Sequence, residues 1–228
     1  FEGPCDYQCT FTAVPEAGKR YWLRCEGVSY AVQGYLSETP LGSHTGIWDG
    51  FSWDITDALH EGENSLCLRV IKNGGATYPV PQVLSGFLPY VSCTFGGLWQ
   101  PVYLFETGAA WLTDLYVRGE ADGSVIVQGE LEGTLPAEVR LLVYAPDGGL
   151  VYEATSNASK QWTHPFQIQQ PLLWHPAHPY LYRLVAEVYH DGALSHRVET
   201  EFGLRTVSVD GSVILLNGEP FYPRCVLH

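Results

Sequence analysis

Hydrophobic and polar residues alternate along most of this chain, in short runs separated by clusters of Gly, Pro, Asn and Asp. Alternation with a period of two is typical of half-buried β-strands, and windows with a helical period are nearly absent. The pattern therefore predicts an all-β protein. In the first part of the chain we predict strands at residues 7–13, 20–27, 30–36, 51–55, 64–72 and 101–106.

The alternation becomes more regular after Gly108. Val125 and Val127 lie on one side of a predicted strand, whereas Gln128 and Glu130 lie on the other. This is the pattern of a sheet with one face in the core and the other in water. Seven or so strands over roughly 100 residues match an immunoglobulin-like sandwich in size, although the Cys-Trp-Cys core of antibody domains is missing from the sequence.

This change in pattern divides the chain into three predicted parts. Residues 1–108 form a first β-rich domain, residues 109–204 an immunoglobulin-like β-sandwich domain, and residues 205–228 a hairpin that leads into one further strand. A terminal strand without a partner would leave a row of unpaired backbone groups. We therefore expect the protein to continue beyond His228.

Composition and charge exclude several classes of partner. Apolar residues make up 46% of the chain and charged residues 16%, which indicates a globular protein. The net charge of −13 repels phosphate backbones, so we expect no nucleic acid as a partner. A run of about 18 apolar residues is absent, so we expect no membrane span.

The cysteines carry no recognisable motif. They lie mostly in strand-like runs and form no CxxC pair, so we predict reduced thiols rather than disulfides or a zinc site. Together with the absence of a visible signal peptide, this favours the cytoplasm. The six are Cys5, Cys9, Cys25, Cys67, Cys93 and Cys225.

Histidines and carboxylates offer only weak candidates for chemistry. His175 and His178 have HxxH spacing, but Pro176 and Pro179 exclude a helix there, so we predict a rigid loop rather than a metal site. We expect neither metal nor cofactor, because glycine-rich phosphate loops and nucleophile elbows are also missing. The carboxylate pairs Asp54/Asp57 and Glu130/Glu132 are predicted to be a capped turn and a solvated strand face.

The connection at residues 73–98 is the strongest candidate site. It is far longer than the median of about 4–6 residues, and long ordered connections are usually functional. It contains no Asp or Glu, and its aromatic and amide groups suit the C–H face and hydroxyls of a sugar. Alternatively, the aromatic residues only pack the connection onto its own domain. The candidate residues are Tyr78, Gln82, Phe87, Tyr90, Phe95 and, at its end, Trp99.

Six stretches, in order and spacing, resemble the N-terminal region of glycoside hydrolase family 2, which includes β-galactosidases, β-glucuronidases and β-mannosidases. They are YWLRCEGVSY, PLGSHTGIWDGFSWDIT, HEGENSLCLRV, FGGLWQPVYLFET, PLLWHPAHPYLYRL and FGLRTVSVDGSVILLNGEPFYPRCV. The resemblance implies a sugar-binding jelly-roll domain at 1–108, the immunoglobulin-like domain at 109–204, and a linker hairpin with the first strand of a (β/α)8 barrel at 205–228.

The resemblance also implies which part of the enzyme is catalytic. The catalytic glutamates of that family lie in the barrel, so we expect no catalytic residue here. The chain would support its own barrel, line the rim of a site for a terminal β-linked sugar, and take part in a homo-oligomer if the whole enzyme forms one. The alternatives are a stand-alone carbohydrate-binding module or adhesin, and a scaffold that binds no sugar.

The sequence departs from the family pattern at three places, which concern a hairpin turn, the 73–98 connection and the sugar specificity. Ser37-Glu38 replaces the Asn-Gly turn common in relatives, which predicts a differently shaped hairpin. The 73–98 connection lacks the carboxylate that β-galactosidases can offer. Cys225 and Leu227 replace a Gly and an Asn of many members, so the sugar specificity stays open.

Overall fold

The computed structural model describes residues 3–72 and 96–223, which contain eighteen β-strands and no helix. The chain divides into two compact units, Phe1–Thr107 and Gly108–His228. The prediction of an all-β protein is therefore confirmed. Among the described residues, no helix is long and apolar enough to cross a membrane.

Unit 1 is a jelly-roll β-sandwich of two antiparallel sheets. One sheet has the order β1-β6-β3-β4, with β7 paired to β3, and the other has the order β5-β2-β8. The strands are β1 Pro4–Ala13, β2 Arg20–Cys25, β3 Val28–Leu36, β4 Thr39–Gly46, β5 Phe51–Asp54, β6 Gly62–Ile71, β7 Gly97–Leu98 and β8 Val102–Thr107.

Alternation along the strands builds the core of unit 1. In β6, Leu66, Leu68 and Val70 are buried, whereas the residues between them are more exposed. They pack with Leu23 of β2 and Val32 of β3, so the two sheets share one core. All six strands predicted for this part are present.

The sequence pattern missed β4, and its hairpin differs from expectation. β4 contains Pro, Ser and two glycines, yet it pairs along β3 from Leu36↔Thr39 to Tyr30↔Gly46. The prediction of a differently shaped turn is wrong: Ser37 and Glu38 have φ of 45° and 72°, the two positive values of the turn that Asn-Gly favours. Ser37 is held by its amide, which donates to the carbonyl of Ser65 at 2.7 Å.

Unit 2 is an immunoglobulin-like sandwich of a three-stranded and a four-stranded sheet. Their orders are β13-β10-β9 and β12-β11-β14-β15. The buried residues of both sheets form one core that includes Val127, Leu141 and Leu184. The strands are β9 Ala110–Gly119, β10 Ser124–Gly133, β11 Ala137–Tyr144, β12 Leu150–Ala158, β13 Gln161–Gln167, β14 Tyr182–His190 and β15 Ala193–Phe202.

Buried polar groups join the parts of this sandwich. The Tyr182 hydroxyl accepts a hydrogen bond from the Leu172 amide at 2.8 Å, in the manner of the tyrosine corner of immunoglobulin-like domains. The Ser195 hydroxyl accepts from the amide of Ala110 at 2.9 Å and donates to its carbonyl at 2.5 Å. β15 is thereby fastened to β9 of the other sheet.

A small sheet follows the sandwich, with β16 at Val207–Asp210, β17 at Val213–Leu216 and β18 at Glu219–Pro220. Asn217 anchors this sheet to the loops that precede it: its side-chain oxygen accepts from the Thr206 amide at 3.0 Å, and its side-chain nitrogen donates to the Trp174 carbonyl at 3.1 Å. Its strands leave apolar side chains in water: Val207 is 62% exposed and Val209 is 69% exposed.

Candidate functional site

The five residues predicted to bind sugar all lie outside the described residues. They are Tyr78, Gln82, Phe87, Tyr90 and Phe95, within the undescribed segment 73–95. Their role stays a prediction. The residues on either side of that segment are described, and they define where it starts and ends.

The two ends of segment 73–95 lie side by side. A Cβ added to Gly96 would overlap the Lys72 side chain and lie 3.2 Å from the Lys72 Cα. Gly97 has a φ of +110° and packs against the Tyr7 hydroxyl, so a side chain there would be both strained and crowded. The segment therefore begins and ends at one point beside β3, and glycine is required at that point.

Two tryptophans form an aromatic surface next to this point. The Trp99 Nε1 donates a hydrogen bond to the Ile47 carbonyl at 2.9 Å, and the Trp48 and Trp99 rings meet edge to face at 5.4 Å. Trp48 is 59% exposed and Trp99 is 37% exposed. A Cβ on Gly27 would come within 2.8 Å of the Trp99 indole, so this glycine makes room for the ring.

Trp48 was missed by sequence reasoning. Trp99 was included because it ends the long connection, whereas Trp48 lies in the stretch GIWDGF and shows no periodicity or motif of its own. Its only signal is an aromatic residue next to Asp and Gly, as in many turns. Spatial proximity to Trp99 is what makes it part of a surface.

The charged groups at the end of β2 and beside Trp48 are paired within unit 1. Arg24 lies 3.1 Å from Glu26, and the Tyr103 hydroxyl donates to Glu26 at 2.7 Å. The hydrogen bond from Arg24, which has the larger effect, and the one from Tyr103 hold the pKa of Glu26 below its usual range. His44 lies 3.1 Å from Asp49 and stacks on Phe51. Glu26 is therefore suited to fix structure rather than to donate a proton.

Carboxyl groups elsewhere in the described residues show the same tendency. A hydrogen bond from Arg69 lowers the pKa of Asp6. Burial would raise the pKa of Asp54, but hydrogen bonds from Thr56 and Arg20 outweigh it and lower the value. A general acid for glycoside cleavage needs the opposite, a raised pKa. Over residues 3–72 and 96–223, each resolved carboxyl shift is downward, at Asp6, Glu26, Asp54 and Asp122.

The histidine pair and the strand carboxylates behave as the sequence predicts. His175 and His178 close a tight turn through two backbone hydrogen bonds of 3.1 and 2.8 Å. Glu130 and Glu132 share the solvated side of β10, and Glu130 lies 3.6 Å from Lys160. In the described part of the chain, no group of three or more His, Cys, Asp or Glu residues could hold a metal ion.

Comparison with known proteins shows similarity to one family of enzymes along both units. The sequence profile of glycosyl hydrolases family 2 matches residues 111–205. The β-glucuronidase of Paenibacillus borealis is 33% identical over 95% of this chain, and the β-galactosidase large subunit of Leuconostoc lactis is 29% identical over 89%. These matches cover 38% and 32% of the two relatives, so the chain spans about a third of their length.

Solved structures agree with the sequence matches. Bifidobacterium dentium β-glucuronidase, in complex with coumarin-3-O-glucuronide, superposes on 95% of this chain and 42% of its own, with a TM-score of 0.74 and 28% identity. Parabacteroides merdae β-glucuronidase has the same fold over 97% of this chain and 30% of its own, with a TM-score of 0.81 at 23% identity. With a profile match in unit 2 and relatives along both units, the chain is similar to glycosyl hydrolases family 2 over nearly its whole length.

Proposed function

We propose that this chain is the non-catalytic N-terminal part of a retaining β-glycosidase, in which the two sandwiches support a catalytic (β/α)8 barrel. The observation that carries the proposal is the similarity of both units to family 2 glycosidases over only about a third of their length. The lowered pKa values of Asp6, Glu26, Asp54 and Asp122 also support it, because retaining hydrolysis needs a protonated acid about 5 Å from a carboxylate nucleophile.

An apolar depression on the small C-terminal sheet is further support for an adjoining domain. A shallow depression of about 460 Å³ on this sheet has a mainly apolar lining. Exposed apolar patches of this kind usually mark surfaces that another domain or protein covers. In our proposal the barrel covers it. The lining residues are Trp174, Arg205, Val207, Ile214, Leu216, Phe221 and Pro223.

The substrate class follows from the relatives. They are named for β-galactosides and β-glucuronides, so the proposed substrate is a terminal β-linked sugar. The segment 73–95 would line the rim of the site, next to Trp48 and Trp99. It contributes aromatic and amide groups but no carboxylate. We therefore propose that it shapes the subsite rather than takes part in proton transfer.

The proposal is tested on the full-length product of the gene, the longer protein that the proposal requires. Chromogenic β-galactoside, β-glucuronide and β-mannoside are offered separately, and release of the aglycone is followed. We expect turnover of at least one of them with retention of the anomeric configuration. Inversion, or no turnover of any β-glycoside by a folded protein, contradicts the proposal.

The role of segment 73–95 makes a separate prediction. In the longer protein, Tyr90→Ala and Phe95→Ala should lower kcat/KM by about tenfold or more on the preferred substrate, because each removes an apolar contact to the sugar. Leu150→Ala, which truncates an exposed side chain of unit 2, is the matched control. Unchanged kinetics in folded Tyr90→Ala and Phe95→Ala variants would show that the segment is only structural.

A stand-alone carbohydrate-binding module is the second candidate, and the exposed Trp48 beside Trp99 favours it. Such a module binds sugar without a barrel. The sequence downstream of His228 separates the two: a stop codon close by supports the module, and several hundred codons with a barrel pattern support the enzyme.

A further inference from the structure

The outer face of the three-stranded sheet in unit 2 carries an ordered polar array around one tyrosine. Cross-strand pairing places Gln128 between Tyr116 and Thr163, and Glu130 between Asp114 and Gln161. The six side chains therefore form two adjacent rows of three, which surround a depression of about 360 Å³. We call this surface the Tyr116 face; it consists of Asp114, Tyr116, Gln128, Glu130, Gln161 and Thr163.

Strand alternation fixes the direction of these side chains. Leu115 and Val117 of β9 and Trp162 of β13 pack on the core, so the residues between them point into water. Tyr116 is 54% exposed. The face is thus held by the sandwich, and its side chains are not needed to build the core.

The hydrogen-bonding groups of the Tyr116 face are unused within the described residues. The side chains of Asp114, Tyr116, Gln128, Gln161 and Thr163 make no hydrogen bond or ion pair there. Glu130 has only the ammonium group of Lys160 at 3.6 Å, and that lysine is largely exposed. The row of Tyr116, Gln128 and Thr163 therefore offers three acceptor and three donor groups to a ligand, and the row of Asp114, Glu130 and Gln161 offers three acceptor groups and one donor group.

On the opposite outer face of the same unit, the charged side chains are paired. On the four-stranded sheet, Arg140 bridges Glu153 at 2.8 Å and Glu187 at 3.4 Å, and Arg183 lies 3.0 Å from Glu199. On the Tyr116 face, Asp114 and Glu130 instead stand directly opposite each other across the strands. Like charges in that position destabilise a sheet.

The chemistry of the face matches a neutral oligosaccharide. An exposed aromatic ring offers a stacking surface to the C–H face of a pyranose, and the carboxylates and amides beside it suit its hydroxyls. The two carboxylates repel uronates, sulfated glycans and nucleic acid. A third row, Arg118, Ile126 and Pro165, continues the surface through a neighbouring depression of about 390 Å³. Three rows spaced by two residues extend roughly 14 Å, enough for two or three sugar rings.

We propose that the Tyr116 face is a binding surface for neutral oligosaccharides. The choice of a carbohydrate rests on the proposed function, since a glycosidase meets its substrate as part of larger glycans. Binding at this face would hold such a glycan on the enzyme and raise its local concentration.

Isothermal titration of the 228-residue chain tests this, with cellotriose and β-1,4-galactotriose as neutral probes and trigalacturonate as the acidic one. We expect a neutral trisaccharide to bind and trigalacturonate not to bind. Tyr116→Ala should weaken binding about tenfold or more, and Tyr116→Phe should keep most of it, because the ring supplies the stacking contact. Tyr222→Ala, which removes a tyrosine that is 80% exposed elsewhere in unit 2, should change nothing.

Several results would overturn the proposal: no binding of either neutral probe, equal binding by Tyr116→Ala and the unaltered chain, or equal binding of the acidic probe. Circular dichroism checks that each variant is folded; if Tyr116→Ala is not, Gln128→Ala takes its place with the same expected loss. The assay needs no catalysis, so its outcome is separable from the proposed function. Turnover by the longer protein without binding here defeats this inference alone, and binding here without turnover defeats only the proposed function.

Discussion

His196 gives unit 2 a dependence on pH. Its Nδ1 accepts a hydrogen bond from the Leu112 amide at 3.1 Å, which requires that nitrogen to be unprotonated. Burial lowers the pKa of His196 to about 4. The unfolded chain, with a histidine pKa near 6.5, therefore binds a proton between pH 6.5 and 4 that the folded chain does not. The stability of unit 2 is complete above pH 6.5 and falls as the pH drops towards 4.

We predict that this histidine removes about 2–3 kcal/mol of unfolding free energy between pH 7.5 and pH 4. His196→Asn keeps an acceptor near the position of Nδ1 but does not titrate. Urea unfolding of both proteins at the two pH values measures the difference. Equal losses in the two proteins would mean that His196 does not titrate as its burial implies.

Tyr182 carries the second prediction for a single residue. Tyr182→Phe removes the buried hydroxyl that accepts from the Leu172 amide and leaves that N–H without this partner. We expect a loss of about 1–2 kcal/mol, and a melting temperature lower by roughly 5 °C or more. Tyr180→Phe, on a side chain that is much more exposed, is the control and should melt like the unaltered protein. A Tyr182→Phe variant that melts at the same temperature contradicts the role of this hydroxyl.

Polar residues with structural roles were the hardest to predict from the sequence. Ser195 and Asn64 are buried and hydrogen-bonded to backbone groups, yet a short polar side chain looks the same in a sequence whether it faces core or water. The exposure of Glu130 and Glu132 was predictable, because strand alternation places them on the other face of β10 from buried Leu131. Prediction succeeded where periodicity decides burial, and failed where one tertiary contact does.

The β3–β4 hairpin shows the same limit for strands. β1, β2, β3, β5, β6 and β8 follow from alternating apolar residues, which the shared core then buries. β4 lacks that signal, because most of its residues are partly or fully exposed. It is a strand because the edge of β3 supplies backbone partners along its length. Pairing of this kind depends on tertiary structure, which the local sequence does not reveal.

The turn of this hairpin can be improved. Glu38 has a φ of 72°, where a side chain is disfavoured and glycine is not. We predict that Glu38→Gly stabilises unit 1 by about 0.5–1 kcal/mol, after allowing for the greater entropy of glycine in the unfolded chain. Glu38→Ala removes the same charge but keeps the Cβ, so it should give no gain. Equal stability of the two variants in chemical denaturation would refute the strain argument.

At the level of the whole chain, the resemblance to family 2 and the fold class were accessible from the sequence, and the sugar is not. Six stretches spread over both units carry the family pattern, and alternation gives the sandwiches. The predicted sugar-binding residues from Tyr78 to Phe95 lie outside the described residues, so their role rests on composition alone. Trp48 and Trp99 mark the place at which that segment joins unit 1.

Assaying the purified 228-residue chain at high concentration, on fluorogenic β-galactoside, β-glucuronide and β-mannoside, separates a supporting role from a catalytic one. The proposed function places both catalytic carboxyl groups in another part of the protein, so we predict that release of the fluorophore equals that of the buffer blank for every substrate. Hydrolysis above the blank that persists through repeated purification, and that follows the 228-residue chain on a sizing column, would contradict it.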